Sequence, residues 1–175
     1  MRRQDCEDDH PDAGARRGGA AFLLAQVGAH AAAKFGERLA ELGLSPPHAG
    51  MFRILAARPG IAQQALASAL GTQPSRVVAL IDELEGKGLL ERRAHESDRR
   101  SHALYLTEAG RSTLQSIGRV AREHQQALLA ALSEQEQREL AGLLRRIADQ
   151  QGLIPLVHPG YAGLRPKAGP TSPEK

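Results

Sequence analysis

The chain is short of the residues on which most site chemistry depends. It has one cysteine, Cys6, so no disulfide can form within it. Tryptophan is absent, and phenylalanine with tyrosine makes up only 3% of the residues. Any ligand cavity is therefore lined mainly by aliphatic groups. No CxxC or HExxH motif occurs, and His10, His30, His48, His95, His102, His124 and His158 stand without a second ligand at zinc-site spacing. No nucleophile elbow or phosphate loop is present. The expectation is a protein with no catalytic site, no metal and no cofactor. No apolar run approaches the ~18 residues of a membrane span. The opening MRRQDCEDDH leads into no apolar segment of signal-peptide type. A cytoplasmic protein without a membrane partner is expected.

What remains is charge and helical periodicity. With 175 residues, a charged fraction of 25% and a net charge of +3, the chain suits one domain with a real core. A pI near 9.4 permits nucleic-acid binding. The excess is not concentrated in one stretch. Leu89–Leu106 carries four arginines against three acids, and Thr72–Gly88 two cations against three acids. Placement must therefore do what bulk charge does not.

The stretch Gly71–Leu106 is the most informative. Val77, Leu80, Ile81 and Leu84 fall at i, i+3, i+4, i+7 and predict one buried helical stripe. Ser75, Arg76 and Ala79 lie off it, with Val78 intermediate. Pro74 suits the first helical position, where a missing N–H costs nothing. Upstream, Gln63–Leu70 predicts a short helix with Leu66, Ala69 and Leu70 inward. Gly71, Thr72 and Gln73 make the turn between them. Helix, glycine turn, helix is a helix-turn-helix pattern. Leu89–Ala94 and His102–Leu106 follow as strand-like runs. The polar, turn-forming His95–Ser101 between them predicts a hairpin, or wing.

The flanks are helical too. Leu23, Val27, Ala31, Phe35, Leu39 and Leu42 step along one helix. Leu114, Ile117, Ala121 and Leu128 mark a second, and Leu140, Leu143, Leu144 and Ile147 a third. Ser133 and Glu136 form a capping box at the start of that third helix. These stripes exceed what one small winged domain can cover, so a second subunit is expected, with an interface above ~2,000 Å². Residues 1–18 read as a disordered arm. The tail 152–175 carries Pro155, Pro159, Pro166, Pro170 and Pro173, and cannot be helical throughout. Its first part, 152–164, is apolar enough to pack as an extended arm.

From about Leu44 to Gly110 the chain resembles the MarR family of transcriptional regulators. The resemblance rests on GLSPPHAGMFRIL, PGIAQQALASALG, PSRVVALIDELEGKGLLERR, DRRSHALYLT and the TEAG that opens the next helix. Asp-x-Arg followed by Leu-Thr is its most specific element. With the flanking helices it covers roughly residues 18–151. It implies a mainly α (α+β) fold, a winged helix-turn-helix with flanking dimerisation helices. It also implies a homodimer on a pseudo-palindromic operator in double-stranded DNA, and release by a small-molecule effector or oxidant. The expected division is 44–106 for DNA binding, with 19–43 and 107–151 for dimerisation.

Carried onto this sequence, the resemblance places Gln73, Pro74, Ser75, Arg76, Val78 and Ala79 at the major groove. Arg100 enters the minor groove, Arg99 meets phosphate, and Asp98, Arg92 and Arg93 brace the wing. His30, His48 and Phe52, near Met51, fall where family members hold effectors. Cys6 lies upstream of the position from which some relatives sense peroxide, and reads as an incidental thiol. One departure stands out. Ala62 and Ala65 occupy the positions of a Ser-x-x-Glu capping box, which predicts fraying of the first turn at a cost of ~1 kcal/mol. The competing reading is a winged-helix protein-interaction module; the Arg99-Arg100 tip argues against it.

Overall fold

Helical periodicity governs most of the chain, and the computed structural model describes residues 18–94 and 102–153. Along them the order is α1 (Ala20–Ala40), α2 (Pro46–Ala57), β1 (Ile61–Ala62), α3 (Gln63–Leu70), α4 (Pro74–Gly86), β2 (Leu90–Ala94), β3 (His102–Leu106), α5 (Glu108–Leu128) and α6 (Glu134–Gln150). The fold is the expected one: mainly helical, with a winged helix-turn-helix. The proposed N-terminal arm, the wing tip with Asp98, Arg99 and Arg100, and the Pro-rich tail from residue 154 lie outside the described residues.

The core gathers around Met51, Phe52, Ile81 and Leu84, from α2 and α4, each at most 0% exposed. Leu66 and Leu70 join it from α3, Leu90 and Leu104 from the strands, and Leu39 from the end of α1. Ala67 of α3 is buried as well, and Ala69 only half so. The inward face of that helix is thus turned slightly from the expected stripe.

The sheet has the order β1-β3-β2 and is antiparallel. β2 and β3 pair from Leu90↔Leu106 to Ala94↔His102, as the hairpin reading requires. β1 was not foreseen. Ile61 and Ala62 lie opposite Leu104 and Ala103, and the Gly60 N–H donates to the Leu104 carbonyl at 2.9 Å. This bears on the missing capping box. Ala62 makes no side-chain cap to α3, but strand pairing fixes the chain immediately before that helix begins.

Two capped joints set the C-terminal flanking helices, one where α5 leaves the reading core and one between α5 and α6. At one, Thr107 Oγ1 donates to the Gly88 carbonyl at 2.7 Å and accepts from the Gly110 N–H at 3.0 Å. One hydroxyl thus caps α5 and holds the turn between α4 and β2. Gly110 sits so close to that turn that a Cβ would lie 2.0 Å from the Leu89 carbonyl oxygen. At the other joint, Ser133 and Glu136 form the predicted capping box of α6, the Ser133 N–H reaching Glu136 Oε2 at 2.7 Å.

α1 packs on α5 and α2, largely through its C-terminal half. Its other half exposes Phe22, Leu23, Leu24 and Val27, and α6 exposes Leu143, Leu144 and Ile147. No residue of α6 is buried. The predicted stripes exist; Leu39 and Ile117 are buried in the core, but among the described residues nothing covers the N-terminal half of α1 or the stripe of α6.

Candidate nucleic-acid interface

The turn between α3 and α4 is built by Gly71, whose φ of 61° lies in the left-handed region that glycine enters without strain. Its N–H bonds back to the Ser68 carbonyl, and that of Thr72 to the Ala67 carbonyl, both at 3.1 Å. This pair of bonds is a Schellman closure. It stops α3 and turns the chain so that Pro74 starts α4 three residues later. α4 buries Val77, Ile81 and Leu84, with Leu80 half-buried beside them.

The opposite face of α4 is presented at its N-terminal end. Gln73, Pro74, Ser75, Arg76 and Ala79 are exposed, and Val78 is half-buried. This is the distribution that the sequence predicts. The first turn of a helix leaves backbone N–H groups unpaired and carries the positive end of the helix dipole. An arginine in that first turn makes the surface suited to polyanion.

The acids of α4 would oppose that charge, and each is engaged within the protein. The Arg92 guanidinium, on β2, pairs with both Asp82 and Glu85. Its backbone N–H also donates to Glu85 Oε1 at 3.3 Å. Glu83 pairs with Lys87 Nζ at 2.6 Å, and the same ammonium donates to the Gly43 carbonyl at 2.6 Å. Lys87 and its neighbours hold the Glu83 carboxyl below the usual carboxylate range. The acids therefore serve to fasten α4, to β2 on one side and to the α1–α2 loop on the other. Arg92 was expected to brace the wing, and the bond the structure gives it runs between β2 and α4. Arg93 lies 4.5 Å from the Tyr105 ring centre on β3 and 2.5 Å from Glu91, across the base of the hairpin. Asp98, Arg99 and Arg100 are beyond the described residues.

The residues proposed to meet an effector are not brought together. His30 is exposed on α1. Phe52 is sealed in the core at 0% exposure, and His48 is 3% exposed beneath α4. Neither presents a surface to a ligand. Phe52 lies inward because α2 supplies the centre of the core there. His48 is instead a structural cap: its Nδ1 accepts from the Ser45 N–H at 3.1 Å. That bond escaped the sequence reading because histidine is not the usual third residue of such a box. An open groove of about 390 Å³ does lie between α1 and α5, lined by Ala31, Ala32, Phe35, Ala121, His124 and Leu128 among others. There the Phe35 and His124 rings stand 5.4 Å apart. Burial, then Arg38 and His30, push the His124 imidazole below its ordinary value. Among the described residues no cluster of potential metal ligands occurs, and no helix is long and apolar enough to cross a membrane.

Known proteins share this arrangement. The family model described as MarR family matches residues 42–101. A transcriptional regulatory protein for the hcr operon of Thauera aromatica is 35% identical over 113 residues, 65% of this chain and 68% of that protein. An HTH-type transcriptional repressor of Mycobacterium tuberculosis is 30% identical over 126 residues, 72% of this chain and 91% of the relative. Among solved structures, the transcriptional repressor CouR bound to a 23-mer DNA duplex superposes with a TM-score of 0.67 at 31% identity, covering 79% of this chain and 99% of that one.

Proposed function

The chain belongs to the MarR family of transcriptional regulators, and we propose that it is a homodimeric repressor whose α4 reads a pseudo-palindromic operator. The observation that carries this reading is the N-terminal face of α4. Its first turn is exposed and bears Arg76, while Asp82, Glu83 and Glu85 are all engaged by cations of the protein itself. Such a helix end meets base edges in the major groove. The DNA-bound relative of the same fold supports a DNA partner rather than a protein-interaction module.

In this reading Ser75 and Arg76 contact bases or phosphates, with Gln73, Pro74, Val78 and Ala79 around them. Arg100 enters the minor groove, where a narrow A·T-rich groove concentrates negative potential. Arg99 meets phosphate, and Asp98, with Arg92 and Arg93, holds the wing in place. The uncovered apolar faces of α1 and α6 meet their counterparts in a second copy, so that 19–43 and 107–151 assemble the dimer around residues 44–106. A small molecule releases the DNA. Its seat is the α1–α5 groove, with His30 nearby, and the aliphatic lining selects an apolar ligand.

The test uses a panel of duplex variants from the region upstream of the protein's own gene. Arg76→Ala and Arg100→Ala each weaken binding by about 1–3 kcal/mol. Arg76→Ala relaxes preference at one base position per half-site. Arg100→Ala relaxes preference for flanking A·T content. Unchanged affinity and salt slope in Arg100→Ala would remove the wing from the interface. No binding by the parent to any duplex would remove the whole reading.

A further inference from the structure

His48 sits where the start of α2 meets the side of the recognition helix. Its side chain is 4% exposed, and both ring nitrogens have polar neighbours. Nδ1 accepts the Ser45 N–H at 3.1 Å, with Ser45 Oγ 3.0 Å away. A nitrogen that accepts an N–H carries a lone pair, so the proton of the neutral ring is on Nε2. Nε2 in turn lies 3.3 Å from Glu83 Oε2 on α4 but lacks hydrogen-bond alignment with it. Glu83 is held by Lys87, and Lys87 by the Gly43 carbonyl at the end of the α1–α2 loop. The charges acting on the imidazole are those of Glu83 and Lys87, both from α4. Ser45 is its neighbour on the loop side.

We propose that His48 is a proton-sensitive positioning residue for α4: the neutral ring seats the recognition helix against the start of α2, and protonation unseats it. This rests on the reading of α4 as the recognition helix. The mechanism follows from the two nitrogens. A proton on Nδ1 sets two donors, ring N–H and Ser45 N–H, against each other at 3.1 Å. The Ser45 N–H then loses its acceptor, the ring N–H is left Ser45 Oγ at 3.0 Å, and a cation stands at the positive end of that helix. The charged Nε2–H draws Glu83 toward itself and away from Lys87. Lys87 is also the tie to Gly43, so one proton acts on three contacts of α4. Burial, the largest influence, keeps the ring below the ordinary histidine value; Glu83 pulls the other way. For a base so depressed, the support given to the fold is complete above the ordinary value and is lost as pH falls through the folded midpoint.

His48→Gln is the informative variant. A glutamine in this place still accepts the Ser45 N–H, as in a Ser-x-x-Gln box, but cannot titrate. The first measurement follows imidazole and backbone nitrogen resonances in the DNA-free protein with pH. The expected result is an Nε2–H tautomer at neutral pH, a His48 midpoint below ~6.5, and amide shifts in α4 that share that midpoint and vanish in His48→Gln. In Glu83→Gln the midpoint moves lower still, because the attracting charge is gone. An Nδ1–H tautomer, α4 amides indifferent to the titration, or a midpoint unmoved in Glu83→Gln would each overturn the proposal. The second measurement compares affinity of parent and His48→Gln for the upstream duplex between about pH 7.5 and about pH 5, a window that spans the histidine range. The ratio of the two cancels the other six histidines. It is expected to fall against the parent by about 5-fold or more at the acid end. An unchanged ratio refutes the link to DNA reading. A parent that binds no duplex at either pH instead refutes the reading of α4, and leaves the resonance titration to decide the seating.

Discussion

Val77, Leu80, Ile81 and Leu84 in α4 have the same spacing as Leu140, Leu143, Leu144 and Ile147 in α6. The outcomes differ. Ile81 and Leu84 are 0% exposed, whereas Leu143 is 54% and Ile147 44% exposed. α4 is closed over by α3, β2 and the rest of the reading core, and is tied on both flanks by ion pairs. α6 stands out from the chain with its stripe bare. A periodic pattern thus specifies which face of a helix will be apolar, but not what will cover it. The reading core supplies its own cover; in the proposed dimer the flanking helices take theirs from the second copy.

The strongest way to break this contrast is to spoil the bare stripe. Leu143→Asp with Ile147→Asp should leave each chain folded, because neither side chain is buried within it. Burying one leucine or isoleucine contributes about 1.5–3 kcal/mol, and a two-fold interface uses each site twice. The dimer dissociation constant should rise by more than ~10³-fold. Sedimentation equilibrium at micromolar concentration should then report the 18.8 kDa chain in place of twice that mass. A variant that remains dimeric places the contact elsewhere.

The next largest effect sharpens the other side. Gly110→Ala puts a methyl group where only 2.0 Å separates it from the Leu89 carbonyl oxygen. That atom is backbone and cannot step aside, so α5 must shift from the α4–β2 turn. Destabilisation of about 2–3 kcal/mol is expected from such overpacking, read as a lower thermal midpoint. Gly142→Ala, in open space on α6, is the control and should cost nothing or stabilise the helix slightly. Equal effects at the two sites would contradict the close contact.

The smallest effect concerns charge. Arg92→Met roughly keeps the length of the side chain but removes the cation from Asp82 and Glu85 on α4, leaving Glu85 only the backbone N–H of residue 92. Both acids are well exposed, 56% and 39%, so the loss in stability should stay near or below ~1 kcal/mol. DNA affinity should fall further than stability does, since two unscreened carboxylates then flank the phosphates. Restored affinity in Arg92→Met combined with Asp82→Asn and Glu85→Gln would establish that cause. No recovery would mean that Arg92 acts through the position of β2.

The reading core was legible because its signals are local. The α4 stripe, Gly71, Pro74 and the Ser133–Glu136 box each announce themselves within a few residues. Most of the misses were contacts between distant segments. Two residues, Ile61 and Ala62, carry no periodicity, and their strand exists only because β3 offers an edge. The Ser45–His48 cap hid behind an unusual residue type. His48 and Phe52 fell on the helices named for an effector, but helix position alone cannot say whether a side chain points into the core. Arg92 looked like a wing residue because it is near the wing in sequence; in space it belongs equally to α4.

Thr107 has a further consequence, a mechanical one. α5 spans 21 residues, about 31 Å at the usual helical rise. In sequence it follows β3 after a single residue, Thr107, whose hydroxyl is bonded on both sides, and Ile117 packs it into the core. There is no slack at that joint. In a dimer gripped through the flanking helices, α5 therefore behaves as the arm of a caliper. Small rotations at the gripped end become displacements of several ångströms at the tip. The gap between two reading helices would then be set by how the arms are held, and a duplex whose half-sites are spaced even one base pair differently would meet only one jaw at a time.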